Sequence, residues 1–254
     1  MIELYHWEPG PNSGEVLILL HEKGIDFVSR YVDVLAFEHH APAFLALNPC
    51  AQVPVLVHDG KALTETGFIL QYLDAVFREP ALTPEDPQGR YWVNVWIKYV
   101  EEYLAPAAWR LGAHRTRKDL RGRATLRARE GLRRAPPERQ QAWAKALDEG
   151  FSEDDLEIAK ALLPTRLEHM SDALSRHEWL AGDHYSLADI AVFPIVSQLP
   201  GLVPAMVNES VSPQIMDWLG RMRARPAVRQ ARAMARTPDP DAVFAPGPEG
   251  SRWG

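Results

Sequence analysis

The sequence is poor in cysteine and has no long hydrophobic run. Cys50 is the single cysteine among 254 residues, which excludes an intramolecular disulfide and a cysteine-cluster metal site. No apolar stretch approaches the ~18 residues of a membrane-spanning helix. The first residues also lack the basic and apolar regions of a signal peptide. We therefore expect a cytoplasmic protein with no membrane span and no bound metal.

Positive charge is also scarce. The chain carries 28 Lys and Arg residues against 34 Asp and Glu residues, a formal net charge of -6. Nucleic acid is a poor default partner for such a chain, because phosphate binding needs a basic face. What is present is an ordinary globular mixture, 46% hydrophobic and 24% charged, with enough apolar residues for a sizeable core.

Two segments depart from this average. Residues 114–140 hold ten Arg and Lys residues and three acidic ones. That composition is typical of a solvated helical excursion, and it is equally compatible with a basic flap that attracts anions over a cleft. Residues 237–254 are rich in Pro and Gly without periodicity, which predicts a loose tail that can wrap back.

Residues 1–81 predict the element order β-α-β-α-β-β-α. A short strand ends at the turn Pro9–Gly10–Pro11, and the helix that follows stops at Gly24. Asp59–Gly60 between two apolar runs predicts a two-residue hairpin. After a linker at 82–87, nearly every segment up to residue 236 has helical periodicity. The expected architecture is an α/β domain at 1–81, then an all-α domain at 88–236.

Three features of the first domain suggest one site. Asn12 and Ser13 open the first helix, where N–H groups and the helix dipole stabilise an anion such as a thiolate. Gln52–Val53–Pro54 enters a strand, and a cis proline bond there would turn the backbone N–H and C=O of Val53 toward an extended peptide. Glu65 and Thr66 open a helix that can hold the charged end of an amino acid.

Each feature also has an ordinary structural interpretation. Asn12, Ser13 and the Glu65–Thr66 pair are common helix caps, and a proline at a strand start is usually trans. Their combination, however, describes a thioredoxin-like domain that binds a small peptide with an exposed amino acid end.

In order and spacing these features resemble the glutathione transferase superfamily. Gln52–Val53–Pro54 and Glu65–Thr66 match its glutathione-binding motifs. Ser186–Asp189 matches its buried capping box, a folding element, so Asp189 is not assigned to the site. Within the superfamily the chain is most similar to the bacterial lignin β-aryl etherases, in the stretches Gly10–Ser13, Glu22–Gly24, Phe37–His39, Asn48–Pro54, His58–Lys61 and the region Trp96–Tyr103.

The resemblance implies a fold, a co-substrate and a reaction. A thioredoxin-like domain that binds glutathione precedes an all-helical domain, and the chains commonly pair as dimers, with an identical or a different partner. Glutathione thiolate displaces a phenolate at the β-carbon of an α-keto β-aryl ether. The implied roles are sulfur activation by Ser13 assisted by Asn12, γ-glutamyl binding by Glu65 and Thr66, peptide contacts by Gln52, Val53 and Pro54, and glycyl carboxylate binding by His39 or His40.

A substrate of two aromatic rings needs an aromatic pocket, and its candidate walls are Trp7, Tyr103, Trp109 and Trp143. Tryptophans in a helical bundle are also ordinary core residues. Cys50 is interpreted as a small loop residue, because Asn12–Ser13 occupies the place of the cysteine in related lyases. Two alternatives stay open: a glutathione transferase for other electrophiles, and a non-catalytic glutathione-fold binding protein.

Overall fold

A computed structural model describes residues 1–119, 130–133, 137, 140, 141, 144 and 148–242. Predictions on the residues between these ranges lie outside the described residues. They include Trp143, most of the Arg-rich segment 114–140, and the tail beyond residue 242.

Four strands form a mixed sheet in the order β2-β1-β3-β4. Strand β1 runs parallel to β2 and antiparallel to β3. Strands β3 and β4 form the predicted hairpin, and its turn residues Asp59 and Gly60 have φ angles of 49° and 79°, which two-residue hairpins of twisted strands require. The strands are β1 (Ile2–His6), β2 (Val28–Tyr31), β3 (Val55–His58) and β4 (Lys61–Leu63).

Helices complete this domain in the predicted order. They are α1 (Ser13–Glu22), α2 (Pro42–Leu45) and α3 (Thr66–Val76), with 3-10 turns at Val34–Ala36 and Glu38–His40. All residues of α1 from Ser13 to Leu20 are buried, because this helix packs both within its own domain and against helices of the second. The thioredoxin-like domain followed by a helical domain is thus confirmed.

The second part of the chain is helical. Helix α4 runs directly into a π-helical turn and then into α5, so one long rod begins at the last residue of the predicted linker. The helices are α4 (Pro87–Tyr99), the π turn Val100–Leu104, α5 (Ala105–Asp119), α6 (Glu153–Arg176), α7 (Leu187–Val196), α8 (Leu199–Leu202), α9 (Pro213–Ala224) and α10 (Pro226–Ala233), with a last 3-10 turn at Pro240–Ala242. None of the described helices is long and apolar enough to cross a membrane.

The predicted capping box starts α7, which is buried along its whole length. Asp189 accepts hydrogen bonds from the backbone N–H groups of Ser186 and Leu180, at 3.0 and 3.1 Å, and from the indole N–H of Trp218 at 2.9 Å. Burial raises the pKa of Asp189 to about 6, against the opposing effect of these donors. This carboxylate therefore fixes three elements of the helical domain at one point.

Two ion pairs fix the end of α1. The guanidinium of Arg225 donates to both oxygens of Glu22, at 2.6 and 2.9 Å, and lies 3.4 Å from the ring centre of Tyr185. Lys23 pairs with Asp74 at 2.7 Å, with the lysine side chain fully buried. The Lys23 pair lies within the first domain, whereas the bidentate Arg225 pair joins the helical domain to the first one and holds one relative geometry.

Candidate functional site

The turn between β1 and α1 carries the predicted catalytic residues. The backbone N–H of Trp7 donates to the Ser13 Oγ at 3.2 Å, and Ser13 is 1% exposed. The N–H of Gly14 donates to the Gly10 carbonyl at 2.8 Å. A Cβ added at Gly14 would lie 2.6 Å from the Pro9 carbonyl oxygen, so only glycine allows this close approach.

The hydrogen bond from Trp7 determines what Ser13 can offer. A hydroxyl has one proton to donate and lone pairs to accept with. Since the Trp7 N–H occupies the acceptor side, and no described residue accepts the hydroxyl proton, that proton is available to an anion at the start of α1. In so buried a place, a hydrogen bond to an anion is stronger than in water.

Asn12 stands beside Ser13 on the exposed side of the turn. It has a φ of 68°, in the left-handed region that asparagine tolerates, and its backbone N–H donates to Glu15 Oε1 at 3.3 Å. Its side chain lies on the solvent side of the helix start, while Ser13 lies deeper.

His6 holds the backbone carbonyl of Trp7. Its Nδ1 lies 2.6 Å from the Trp7 carbonyl oxygen, so Nδ1 carries the proton, and its Nε2 accepts from the Ser29 hydroxyl at 2.7 Å. Burial lowers the pKa of His6, which keeps the ring neutral as this arrangement requires. The imidazole thus holds the carbonyl of the same residue whose N–H donates to Ser13.

The loop before β3 presents the second predicted feature. The Val53–Pro54 bond is cis. Asn48, 4% exposed, donates to the Gln52 carbonyl at 2.9 Å and accepts from the Cys50 N–H at 3.0 Å. Among the described residues, no group pairs with the backbone N–H or C=O of Val53. Asn48 thus orders a loop that leaves the backbone N–H and C=O of Val53 able to pair with a ligand.

The start of α3 holds the third feature. Glu65 precedes the helix with a φ of 67°, and Thr66 is 9% exposed. A Cβ added at Gly67 would lie 2.8 Å from the Ile97 Cγ2 atom and 2.9 Å from Glu101 Oε1. The α4 rod therefore presses on the first turn of α3 and brings the Glu101 carboxylate to it.

His39 and His40 are not the solvated side chains that a loop position favours. Both are 3% exposed, their ring centres are 4.4 Å apart, and both stack on Phe37 at 5.5 and 5.8 Å. Gly131, from the described part of the Arg-rich segment, packs against the same loop at the Ala36 carbonyl. That segment therefore touches the first domain next to the histidines.

The aromatic candidates lie in different environments. Trp7 is 8% exposed at the catalytic turn, and Tyr103 is 50% exposed and stacked on Tyr99 at 5.7 Å. Trp109 packs edge-to-face on Phe151 at 5.2 Å, beside the core. Cys50 is exposed. Of this set, Tyr103 presents the most open ring.

The sequence did not single out three residues that the structure places near the site, namely Glu8, Asn48 and Glu101. Glu8 is 2% exposed and accepts four hydrogen bonds from the hydroxyl of Tyr31, the backbone of Arg236, and both the backbone and hydroxyl of Thr237. A carboxylate directly after the apolar end of a strand is the signal that could have marked Glu8.

Comparisons with known proteins agree with the two-domain fold. The models of the glutathione S-transferase N-terminal and C-terminal domains match residues 1–75 and 136–226. Protein LigF of Sphingobium sp. (strain NBRC 103272 / SYK-6) is 34% identical over 90% of this chain and 92% of its own length. The crystal structure of beta-etherase LigF from Sphingobium sp. strain SYK-6 is similar with a TM-score of 0.82 and 32% identity, covering 92% of this chain and 99% of that one. A Burkholderia graminis glutathione transferase, with two glutathione molecules bound per subunit, is 27% identical with a TM-score of 0.71, covering 92% of this chain and 88% of that one.

Proposed function

Because the chain belongs to the glutathione S-transferase family, we propose that it is a glutathione-dependent β-aryl etherase for lignin-derived α-keto aromatic dimers. Glutathione is the co-substrate. The similarity to beta-etherase LigF along nearly the whole chain favours this reaction over transfer to other electrophiles.

The observation that carries the proposal is the hydroxyl of Ser13 at the start of α1. A free thiol has a pKa of about 8.5, and the thiolate is the nucleophile. A donor to the charged sulfur lowers that pKa, as does the positive end of the helix dipole. With its oxygen already bound to the Trp7 N–H, Ser13 offers its proton to the sulfur, and Asn12 adds a second donor beside it.

The reaction is a displacement at carbon. The thiolate attacks the β-carbon, the carbon–sulfur bond forms as the carbon–oxygen bond breaks, and the phenolate leaves to take a proton from water. The adjacent ketone activates the carbon. The products are a glutathione thioether and a phenol. In-line attack inverts the carbon, so we expect a preference for one enantiomer. The protein contributes thiolate activation and positioning.

The other predicted site residues hold the two substrates. Glu65 and Thr66, at the start of α3, would bind the γ-glutamyl end, since free N–H groups of a helix start favour its carboxylate. Val53 would pair with the cysteinyl backbone, with Gln52 and Pro54 in the same loop. His39 or His40 would bind the glycyl carboxylate, and this role requires the loop to expose an imidazole that is buried without ligand.

Trp7, Tyr103, Trp109 and Trp143 would line the aromatic pocket. Trp7 directly precedes the catalytic turn, and Tyr103 presents a half-exposed ring on the α4 rod. Aromatic walls bind methoxyphenyl rings by stacking and edge-to-face contacts.

We also propose a dimer that forms through α3 and α4. Three aromatic side chains on these helices are exposed: Phe68 at 69%, Tyr91 at 59% and Trp92 at 43%. Tyr91 and Trp92 lie edge-to-face at 5.3 Å, and exposed aromatic side chains of this kind are typical of association surfaces. Sedimentation of wild type and of the Phe68→Ser variant tests this proposal, since the variant should sediment as a monomer. A reducing cytoplasm, which supplies glutathione, is the expected location.

The activity test uses a fluorescent α-keto β-aryl ether as resolved enantiomers, with and without glutathione. We expect phenol release from one enantiomer only, and only with glutathione. Release from neither enantiomer, together with conjugation of a chloronitroarene, would assign a transferase for other electrophiles. An absence of glutathione binding in calorimetry at millimolar concentration would assign a non-catalytic binding protein.

A further inference from the structure

We propose that Glu8 is a positioning residue that holds the catalytic turn, and that Arg236 and Thr237 complete its binding site from the far end of the chain. This inference rests on the proposed function, because its effect is on the ionisation of bound glutathione. Glu8 touches neither substrate in this proposal and acts through the backbone of Trp7.

The surroundings of Glu8 explain why a carboxylate is buried there. Its Oε1 accepts from the Tyr31 hydroxyl at 2.6 Å, and its Oε2 accepts from the backbone N–H groups of Arg236 and Thr237, at 3.0 and 3.3 Å, and from the Thr237 hydroxyl at 3.2 Å. A buried carboxylate without such donors would be strongly unfavourable. Three of the four donors come from residues more than 220 positions away in the sequence.

The segment that supplies these donors is itself held at its other end. We call residues 236–241 the C-terminal strap. Asp241 pairs with both guanidinium nitrogens of Arg232, at 2.5 and 2.8 Å, and accepts from the Ser197 hydroxyl at 2.9 Å. The Arg236 guanidinium lies 3.7 Å from the ring centre of Tyr31. The strap therefore bridges the first domain and the helical domain through charged and polar contacts.

The position of Glu8 in the chain links the strap to the sulfur site. Glu8 follows Trp7, whose N–H binds Ser13, and precedes Pro9, whose carbonyl contacts the start of α1 at Gly14. His6 holds the carbonyl of Trp7 from the other side. When Glu8 loses its partners, the turn is free to rotate, and the donor of Trp7 and the hydroxyl of Ser13 lose their fixed orientation. Small misplacements at a reacting centre cost large factors in rate.

The variants Glu8→Gln and Thr237→Val test the proposal, with Glu3→Gln as the matched control. Glu3 lies on β1, the strand that precedes the turn, and pairs with Arg30 away from that turn. The readout is the ultraviolet absorbance of bound glutathione thiolate, titrated against pH, together with kcat and KM for phenol release. A purely structural role would lower the melting temperature and leave the pKa of the bound thiol unchanged at temperatures where the variants are folded.

We expect Glu8→Gln to raise the pKa of bound glutathione and to lower kcat by about tenfold near neutral pH, with little change in KM. Thr237→Val keeps both backbone donors, so its effect should be smaller in the same direction. Thr237→Val also carries the test if Glu8→Gln does not fold. Variants that ionise glutathione like wild type would overturn the role of Glu8 alone. A wild-type protein that binds no glutathione would overturn this proposal and the proposed function together.

Discussion

The Ser13→Ala variant tests the activation of glutathione by one hydroxyl. The substitution removes the donor to the sulfur and leaves the buried N–H of Trp7 without its acceptor. A hydrogen bond to a charged group contributes about 1.5–3 kcal/mol, and one pKa unit corresponds to about 1.4 kcal/mol. We therefore expect the pKa of bound glutathione to rise by about 1–2.

The rate follows from two opposing effects. At a pH below both pKa values, the thiolate fraction falls about 10- to 100-fold. The more basic thiolate is intrinsically more reactive and recovers about 3- to 8-fold, given a Brønsted coefficient of about 0.4–0.5. The net loss in kcat should be about 3- to 12-fold at a pH below both pKa values. Above both pKa values the thiol is fully ionised in each protein, so the variant should there be about 3- to 8-fold faster than wild type.

The assay is phenol release as a function of pH, with the thiolate absorbance of bound glutathione measured in parallel. Ser175→Ala is the matched control, because Ser175 is an exposed serine of α6 whose hydroxyl bonds only to a local carbonyl. Asn12→Ala separates the two donors of the turn. A Ser13→Ala profile that superimposes on that of wild type would refute the role of the hydroxyl and assign activation to Asn12 or to the helix start alone.

Three further predictions concern the frame around the site. Gly14→Ala should abolish phenol release and destabilise the fold, since its Cβ would lie 2.6 Å from a backbone oxygen, whereas Gly220→Ala, with nothing within 4 Å, should leave activity unchanged. Arg225→Ala should lower the free energy of unfolding by about 2–4 kcal/mol in urea, because it removes the charged partner of the Glu22 carboxylate and leaves it the hydrogen bond from the Tyr185 hydroxyl; a loss below about 0.5 kcal/mol would contradict this. Burial raises the pKa of Asp189 to about 6, so the stability that this group contributes is complete below about pH 4 and is lost as the pH rises through 6. The unfolding free energy of wild type relative to Asp189→Asn should therefore fall by about 3 kcal/mol between these pH values. A difference that stays constant with pH would contradict this.

Local signals explain which parts of the fold were predictable. The hairpin at Asp59–Gly60 and the capping box at Ser186–Asp189 depend on neighbouring residues, so their sequences specify them. Helical periodicity was less reliable at single positions. Both Trp92 and Trp96 lie in α4, yet Trp92 is 43% exposed and Trp96 is 3% exposed, because the start of α4 extends beyond the core.

The unpredicted site residues depend on distant contacts. Glu8 is bound by a segment more than 220 residues away, which no local pattern announces. Glu101 lies within the π-helical turn Val100–Leu104, where the extra residue per turn shifts the phase of the helix and turns a different side chain toward α3. The two histidines at 39 and 40 read as loop residues but are buried by stacking on Phe37.

The position of the glutathione sulfur tests the account most directly. A crystal structure of the protein with glutathione should place the sulfur within hydrogen-bonding distance of the Ser13 Oγ, with the cysteinyl backbone paired to Val53 and the γ-glutamyl end at the start of α3. A sulfur bound elsewhere, with no donor from the first turn of α1, would contradict it.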